Sequence, residues 1–229
     1  MSAPTETLPV LLRRITALSM VAGYVEVVGF LDLKGIYPGI MTGNTVQLGL
    51  SFAKSHWDRF ASIGTAVGLF FIGCIIASAI RWHLRRPPLE LALMAVLLLV
   101  AGIVRRAGPT YAIFELPLLA LAMAMQGETI ARFGGVAVQT IVVTNNMVKF
   151  CDGLVGRCLV PFDKRLAPQS KMPELKEMLL PGLAWLTYSI GAAAGALAAP
   201  LRMVFAAPAV MLILTVIDLV ARRPETATA

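Results

Sequence analysis

The stretch "PGIMTGNTVQLG", residues 38–49, decides how the chain folds. It lies between long apolar runs, yet it contains a proline, three glycines and several hydroxyl or amide side chains. Proline cannot donate a backbone N–H group, and glycine weakens a helix locally. We therefore expect a helix to start or break within residues 38–45.

The apolar runs around this stretch are typical of a membrane protein. Of the 229 residues, 58% are hydrophobic and only 14% are charged, whereas soluble domains carry about 25% charge. Six runs are long enough, or nearly so, to cross about 30 Å of hydrocarbon as helices. They are residues 15–33, 60–80, 89–104, 111–130, 178–201 and 204–219. The sequence predicts an all-α integral membrane protein with six clear transmembrane helices and a lipid bilayer as its surroundings.

The formal net charge of +7 does not indicate a nucleic-acid partner, because the arginines flank the apolar runs. This placement favours a role in membrane topology and contact with lipid headgroups. The three cysteines form no CxxC pair, and no metal-ligand spacing is visible. We expect no metal and no cofactor.

Enzymatic motifs are not evident. Residues 152–157 resemble the opening of the CDP-alcohol phosphotransferase signature, but the later metal-binding aspartates of that signature are replaced by other residues. Without them the reaction would lack its cation clamp. We also find no zinc-protease motif and no nucleophile elbow, and we expect that the protein is not an enzyme.

The sequence repeats itself at an offset of 102 residues. At this offset Glu26 falls on Glu128, Thr42 on Thr144 and Asn44 on Asn146. Gly73 matches Gly191 at an offset of 118, which leaves a 16-residue insertion in the second half. We predict a single membrane domain over residues 1–229 with two internal repeats, 15–104 and 111–220, and a cytoplasmic loop at 157–177. Such repeats are common in transporter folds.

The two short Thr/Asn segments leave the number of crossings open. If each segment spans the membrane, each half has four crossings and the repeats are parallel. If each is re-entrant, each half has three crossings and the repeats are inverted. The distribution of Lys and Arg does not separate these topologies, and both place the two termini in the cytoplasm.

Glu26 is the most informative single residue. It lies eleven positions into the first apolar run, roughly 16 Å deep, and is expensive to keep there as an isolated charge. Gly23 and Gly29 share its helical face and leave room beside the carboxyl. Two interpretations remain open: a protonated carboxyl bonded within the helix bundle, or a carboxyl that handles protons or cations.

Other polar residues complete a candidate solute site. Glu128 could pair with Arg132 four residues later or act in the site. The Thr/Asn segments are explained either as irregular backbone lining a cavity or as hydrogen bonds between helices. The predicted substrate-binding residues are Glu26, Thr42, Asn44, Gln126, Glu128, Thr144 and Asn146.

Two small-residue patterns predict close helix packing. They are Gly64-x-x-x-Gly68 and Gly191-x-x-x-Gly195. Such faces act within one chain or between subunits, so a homodimer is a candidate assembly.

The chain resembles the YoaK family of bacterial membrane proteins, a family of unknown function. The matching residues are GYVE at 23–26, MTGN at 41–44, MQG at 125–127, RFGG at 132–135 and TNN at 144–146. In the first motif this chain has Glu26 where the family usually has Asp. The resemblance implies a multi-pass protein of the bacterial inner membrane, usually predicted with six helices, and implies no particular substrate.

Two functional hypotheses follow. The first is a small secondary transporter for a polar or ionic solute, coupled to protons or cations, with a midplane site between the repeats. The second is a non-catalytic membrane subunit that packs against a larger complex, with the polar motifs holding helices together.

Overall fold

The computed structural model describes residues 7–84, 87–108, 114–129, 132–133, 135–158 and 173–221. These residues form eight α-helices and one two-stranded antiparallel ladder. The elements are α1 (Leu8–Asp32), α2 (Met41–Ala53), α3 (Trp57–Leu84), α4 (Pro87–Ala107), α5 (Glu115–Thr129), β1 (Arg132–Phe133), β2 (Val136–Ala137), α6 (Val143–Cys158), α7 (Leu175–Ala198) and α8 (Ala206–Ala221).

The helices have the length and composition of a helical membrane protein. Within the described residues, α1, α3, α4 and α7 are long and apolar enough to cross a membrane, and α8 is apolar but shorter. Their exposed surfaces carry many large apolar side chains, including Phe71, Ile103 and Leu197. In water such surfaces would be costly, whereas in lipid they are favourable.

Two ion-pair clusters identify the opposite ends of the bundle. Arg13 and Arg14 near the start of α1 both pair with Asp218 near the end of α8. At the other end of α1, the Asp32 carboxylate accepts two hydrogen bonds from Arg105 in the last turn of α4. We call these ends the Asp218 face and the Asp32 face.

The closest helix packing joins the two halves of the chain. A Cβ on Gly23 in α1 would overlap the backbone oxygen of Tyr188 in α7, and one on Gly191 would overlap that of Met20. Gly195 meets the α1 backbone in the same way one turn later. This confirms close packing at the predicted Gly191–Gly195 pattern, because no larger residue fits there.

The other predicted glycine pattern is not closely packed against any of the described residues. No atom lies within 4 Å of a Cβ placed on Gly68, and only a leucine methyl group approaches one on Gly64.

After α1 the chain folds back along it. Lys34 and Gly35 adopt left-handed backbone conformations, and Pro38 then packs against Gly29. Helix α2 begins at Met41, which confirms the helix start predicted within 38–45. From there α2 returns toward the Asp32 face, where the Gln47 amide donates to the Gly35 carbonyl over 3.0 Å. Residues 33–53 therefore enter and leave by the same end of the bundle.

Segment α6 forms a similar hairpin with α7. Gly153 lies against Met178, and Gly182 lies against the ring of Phe150. Since α6 runs to Cys158 and α7 begins at Leu175, both ends of the predicted 157–177 loop are helical, and residues 159–172 lie outside the described part. The Glu174–Glu177 capping box explains the start of α7.

The structure corrects two further details. The first helix begins at Leu8 rather than at residue 15, because Pro9 in its first turn favours a helix start there. The short ladder of β1 and β2, in which Arg132 pairs with Ala137, was not predicted in an all-α fold. Gly135, with φ of 87°, makes the tight turn between its strands.

Candidate functional site

Glu26 caps the start of α2 from the neighbouring helix. Its side chain is 1% exposed and belongs to α1, six residues before this helix ends at Asp32. One carboxylate oxygen, Oε1, accepts hydrogen bonds from the N–H groups of Gly39 (3.1 Å) and Ile40 (3.0 Å). Because α2 has no capping side chain of its own, Glu26 satisfies N–H groups that a helix start leaves unpaired. The positive end of the α2 dipole also favours an anion at this position.

The second oxygen of Glu26 has a tighter environment. Oε2 is buried and has no hydrogen-bond partner among the described residues. A Cβ on Gly39 would lie 2.8 Å from Oε2 and 3.1 Å from the Cβ of Met123 in α5. Tyr188 of α7 interacts electrostatically with both Glu26 and Tyr37. Side chains of both halves therefore meet at this carboxyl.

Asn44 and Asn146 each close a ring with the backbone seven residues earlier. The Asn44 side chain donates to the Tyr37 carbonyl (2.7 Å) and accepts from the Tyr37 N–H (3.0 Å). Asn146 donates to the Gln139 carbonyl and accepts from the Gln139 N–H (3.2 Å). We call these two arrangements the asparagine clasps. Both differences, 146 − 44 and 139 − 37, equal 102.

A second pair of contacts has the same offset. The Gln47 amide donates to Gly35 O, and the Lys149 ammonium donates to Ala137 O over 2.7 Å. Here too the donors and the acceptors are each 102 residues apart. The segments before α2 and α6 thus have matching local structure, although their side chains differ.

Gln126 joins the second of these segments to α1. Its amide nitrogen donates to the Leu18 carbonyl and to the Thr140 hydroxyl (3.2 Å). Its Oε1 is buried and has no partner among the described residues. Leu18 and Glu26 are eight residues apart on α1, so the two segments approach α1 at depths about 12 Å apart.

The structure brings together only some of the predicted site residues. Glu26, Asn44, Gln126 and Asn146 are buried in the bundle interior. Thr42 and Thr144 lie on the exposed sides of α2 and α6, so they do not line a site with Glu26. The backbone of Glu128 belongs to α5, but its side chain lies outside the described part, as does that of Arg132. The predicted Glu128–Arg132 pair is therefore not described.

Two residues near this site were missed from the sequence. Tyr188 lies three residues before Gly191. Its position beside the predicted close helix contact was the one signal in the sequence that could have indicated it. Ser19 is fully buried in α1, and its hydroxyl has no partner in the described structure. A single serine in an apolar run gives no signal in the sequence.

The buried polar side chains of this arrangement hydrogen-bond mainly to the protein's own backbone. Three pockets open at the helix ends, and none of them is lined by the seven predicted residues. Within the described residues, no group of three or more His, Cys, Asp or Glu side chains could hold a metal ion.

Comparisons with known proteins identify the chain's relatives. A curated relative, the UPF0700 transmembrane protein YoaK of Bacillus subtilis (strain 168), is 29% identical over 196 residues, which cover 81% of this chain and 83% of the relative. No solved structure matches the chain. The family described as "Protein of unknown function (DUF1275)" matches residues 15–220. The chain is a membrane protein that belongs to the DUF1275 family.

Proposed function

We propose that the chain is a small secondary transporter of the bacterial inner membrane, with six crossings and both termini in the cytoplasm. In this proposal α1, α3, α4, α5, α7 and α8 cross the bilayer. Helices α2 and α6 belong to re-entrant hairpins that enter from opposite sides, and the two repeats are inverted. The solute is small and polar or ionic.

The observation that carries the proposal is the pair of asparagine clasps. They repeat the same hydrogen bonds at an offset of 102 residues. The first clasp belongs to a hairpin that leaves by the Asp32 face. The second clasp precedes α6. Arg157 near the end of α6 donates a hydrogen bond to the carbonyl of Pro173, just before α7. From there α7 runs to the Asp32 face. Inverted repeats with interrupted helices are typical of secondary transporters, which bind solutes near the midplane.

Glu26 is the proposed coupling residue. Its carboxylate occupies the positive end of α2 and lies near Met123 of α5, and Tyr188 of α7 is close enough to interact with it electrostatically. Protonation or a bound cation would weaken its hold on the Gly39 and Ile40 N–H groups. The start of α2 would then be free to change its contacts. Asn44, Gln126 and Asn146 would keep the two hairpins in register during this change.

One observation favours the alternative, a non-catalytic subunit of a larger membrane complex. Asn44, Asn146 and one oxygen of Glu26 already have internal hydrogen-bond partners. The exposed glycine face at Gly64 and Gly68 would then be a contact surface for another protein or for a second copy.

Electrical recording from proteoliposomes tests the transporter proposal. Concentration jumps of amino acids, carboxylates, Na⁺ and K⁺ are applied at several pH values to the wild type, to Glu26→Gln and to Asp58→Asn. Asp58 is an exposed acid in the first turn of α3, so its variant is a matched control. We expect a solute-dependent current that keeps its pH dependence in Asp58→Asn and loses it in Glu26→Gln. The same pH profile in all three proteins would remove Glu26 from the mechanism.

Purification from native membranes tests the alternative. A self-assembled species favours the transporter, whereas stoichiometric recovery with an unrelated membrane complex favours the subunit.

A further inference from the structure

An open pocket of about 590 Å³ lies at the Asp32 face, away from Glu26. It is formed where α1 and α4 end, where α5 begins and where α7 turns into α8. Its charged lining residues are Asp32, Arg105, Arg106, Glu115 and Arg202. The volume is within the range of small-ligand sites.

Asp32 and Arg105 form the fixed part of the pocket. Arg105 donates to both Asp32 oxygens, at 2.7 and 3.1 Å, and also to the carbonyls of Ala199 and Leu201. A planar bidentate pair of this kind is rigid and neutral. Arg105 is therefore committed to the protein and holds the α7–α8 turn against α4.

The other charged side chains of the pocket are only partly matched by partners among the described residues. Arg106 contacts the Met203 sulfur at 3.2 Å, and the described residues provide no carboxylate partner for Arg106 or Arg202. Glu115 is 3% exposed, and its carboxyl hydrogen-bonds with Asp32, but its Oε1 has no hydrogen-bond partner among the described residues. A buried carboxylate oxygen without a donor is unfavourable unless a ligand or water supplies one. Within the described residues, the pocket thus offers two guanidinium groups without a carboxylate partner and one carboxyl oxygen without a donor.

The surroundings indicate where a ligand's tail would lie. Ile103, Phe114, Leu201 and Met203 flank the pocket in the chain and are each more than half exposed. In a membrane, these apolar side chains contact lipid just below the charged pocket. Arginine clusters at this depth are suited to phosphate headgroups.

We propose that this pocket binds a phosphoethanolamine group, with its phosphate between Arg106 and Arg202 and its ammonium donating to Glu115. The signs are complementary at each contact, because the phosphodiester anion meets the two guanidinium groups and the ammonium meets the Glu115 carboxyl. A phospholipid headgroup and the free zwitterion share this chemistry. The flanking apolar side chains favour the lipid.

Lipid binding to the full chain tests the proposal. The purified protein is reconstituted into nanodiscs of phosphatidylcholine that contain increasing amounts of phosphatidylethanolamine or phosphatidylglycerol, and bound lipid is counted by native mass spectrometry. Free O-phosphoethanolamine is added to the buffer as a soluble competitor. We expect the wild type to prefer phosphatidylethanolamine to both other lipids. Choline cannot donate a hydrogen bond to Glu115, and glycerol carries no ammonium.

Variants separate the two parts of the pocket. The double variant Arg106→Gln/Arg202→Gln should bind phosphatidylethanolamine roughly 30-fold more weakly, since each surface arginine contributes about a factor of five to phosphate binding. Glu115→Gln, which keeps size, should retain phosphate binding and lose the preference for ethanolamine over choline. Lys54→Gln, which removes an exposed cation outside this pocket, should behave as the wild type.

The outcomes are distinguishable. Unchanged phosphatidylethanolamine binding in the double variant would overturn the proposal, as would equal binding of all three lipids by the wild type. Competition by free O-phosphoethanolamine at equal concentration would support the pocket and assign it to a soluble zwitterion. Circular dichroism and the elution volume of each variant show whether it is folded, so that loss of binding is attributed only to folded protein.

Discussion

Asn44 and Asn146 make the same two hydrogen bonds to the backbone seven residues earlier, although they lie in different halves of the chain. Each asparagine follows the first residue of its helix by three positions, in α2 and in α6. The side-chain amide bonds both the N–H and the carbonyl of one residue, Tyr37 in the first half and Gln139 in the second. Asparagine is suited to this position because its amide offers a donor and an acceptor side by side.

Replacing either clasp residue should destabilise the fold. Asn44→Ala and Asn146→Ala each remove two part-buried hydrogen bonds to one residue's backbone, which costs about 1–3 kcal/mol. Unfolding in mixed micelles measures this loss. Thr42→Ala and Thr144→Ala, on the exposed sides of the same helices, should remain within about 0.5 kcal/mol of the wild type. Equal effects of the asparagine and threonine changes would contradict the role of the clasps.

Removing the Glu26 cap should be more damaging than neutralising it. Glu26→Leu leaves the Gly39 and Ile40 N–H groups unpaired, whereas Glu26→Gln keeps an acceptor oxygen for them. We expect Glu26→Leu to lower the free energy of unfolding by about 2–4 kcal/mol and to increase hydrogen exchange at residues 39 and 40. If the leucine variant exchanges as slowly as the wild type, then the carboxylate does not hold the start of α2.

The glycines of the α1–α7 contact should not tolerate a side chain. Gly191→Ala forces a methyl group into the backbone of Met20, which costs about 1–3 kcal/mol or separates the helices. Gly68→Ala adds the same group in open space and should stabilise α3 by up to about 1 kcal/mol. Thermal unfolding of both variants gives the comparison. A destabilised Gly68→Ala would instead indicate that this face is covered in the membrane.

Cysteine labelling distinguishes six crossings from eight. In a background with Cys74 and Cys151 replaced by serine, the reporters are His56→Cys, Leu201→Cys and the native Cys158. With re-entrant hairpins, positions 56 and 201 react with an impermeant maleimide from one side of the membrane and Cys158 from the other. With eight crossings, position 56 would share the side of Cys158. The labelling pattern therefore selects one topology directly.

The sequence predicted the helices better than the contacts between them. Long apolar runs identify helices because nothing else satisfies the backbone in lipid, and Pro38 with Gly43 identifies the start of α2. The hydrogen-bond partners of Glu26 were not predictable from the sequence. They are the backbone N–H groups of Gly39 and Ile40, which every residue except proline has, so the side chains give no indication of them. Thr42 and Thr144 were predicted in the site because the repeated Thr/Asn segments were interpreted as irregular backbone lining a cavity. Residues two positions apart on a helix, such as Thr42 and Asn44, point in different directions.

The contact between α1 and α7 also bears on how the protein is made. Asp32 ends α1 and Leu175 begins α7, so 142 residues (174 − 32) are synthesised between the end of α1 and the start of its partner helix. During that interval the ribosome has delivered the N–H groups of Gly39 and Ile40, which lie only 13 and 14 residues after Glu26. The carboxylate thus gains its hydrogen bonds from the nascent chain itself, long before α7 reaches the membrane. If the first half were made alone, the Glu26 carboxylate would still have its two backbone hydrogen bonds, but the Gly23 side of α1 would lack its partner helix α7. The second half would have to be supplied separately to complete the bundle.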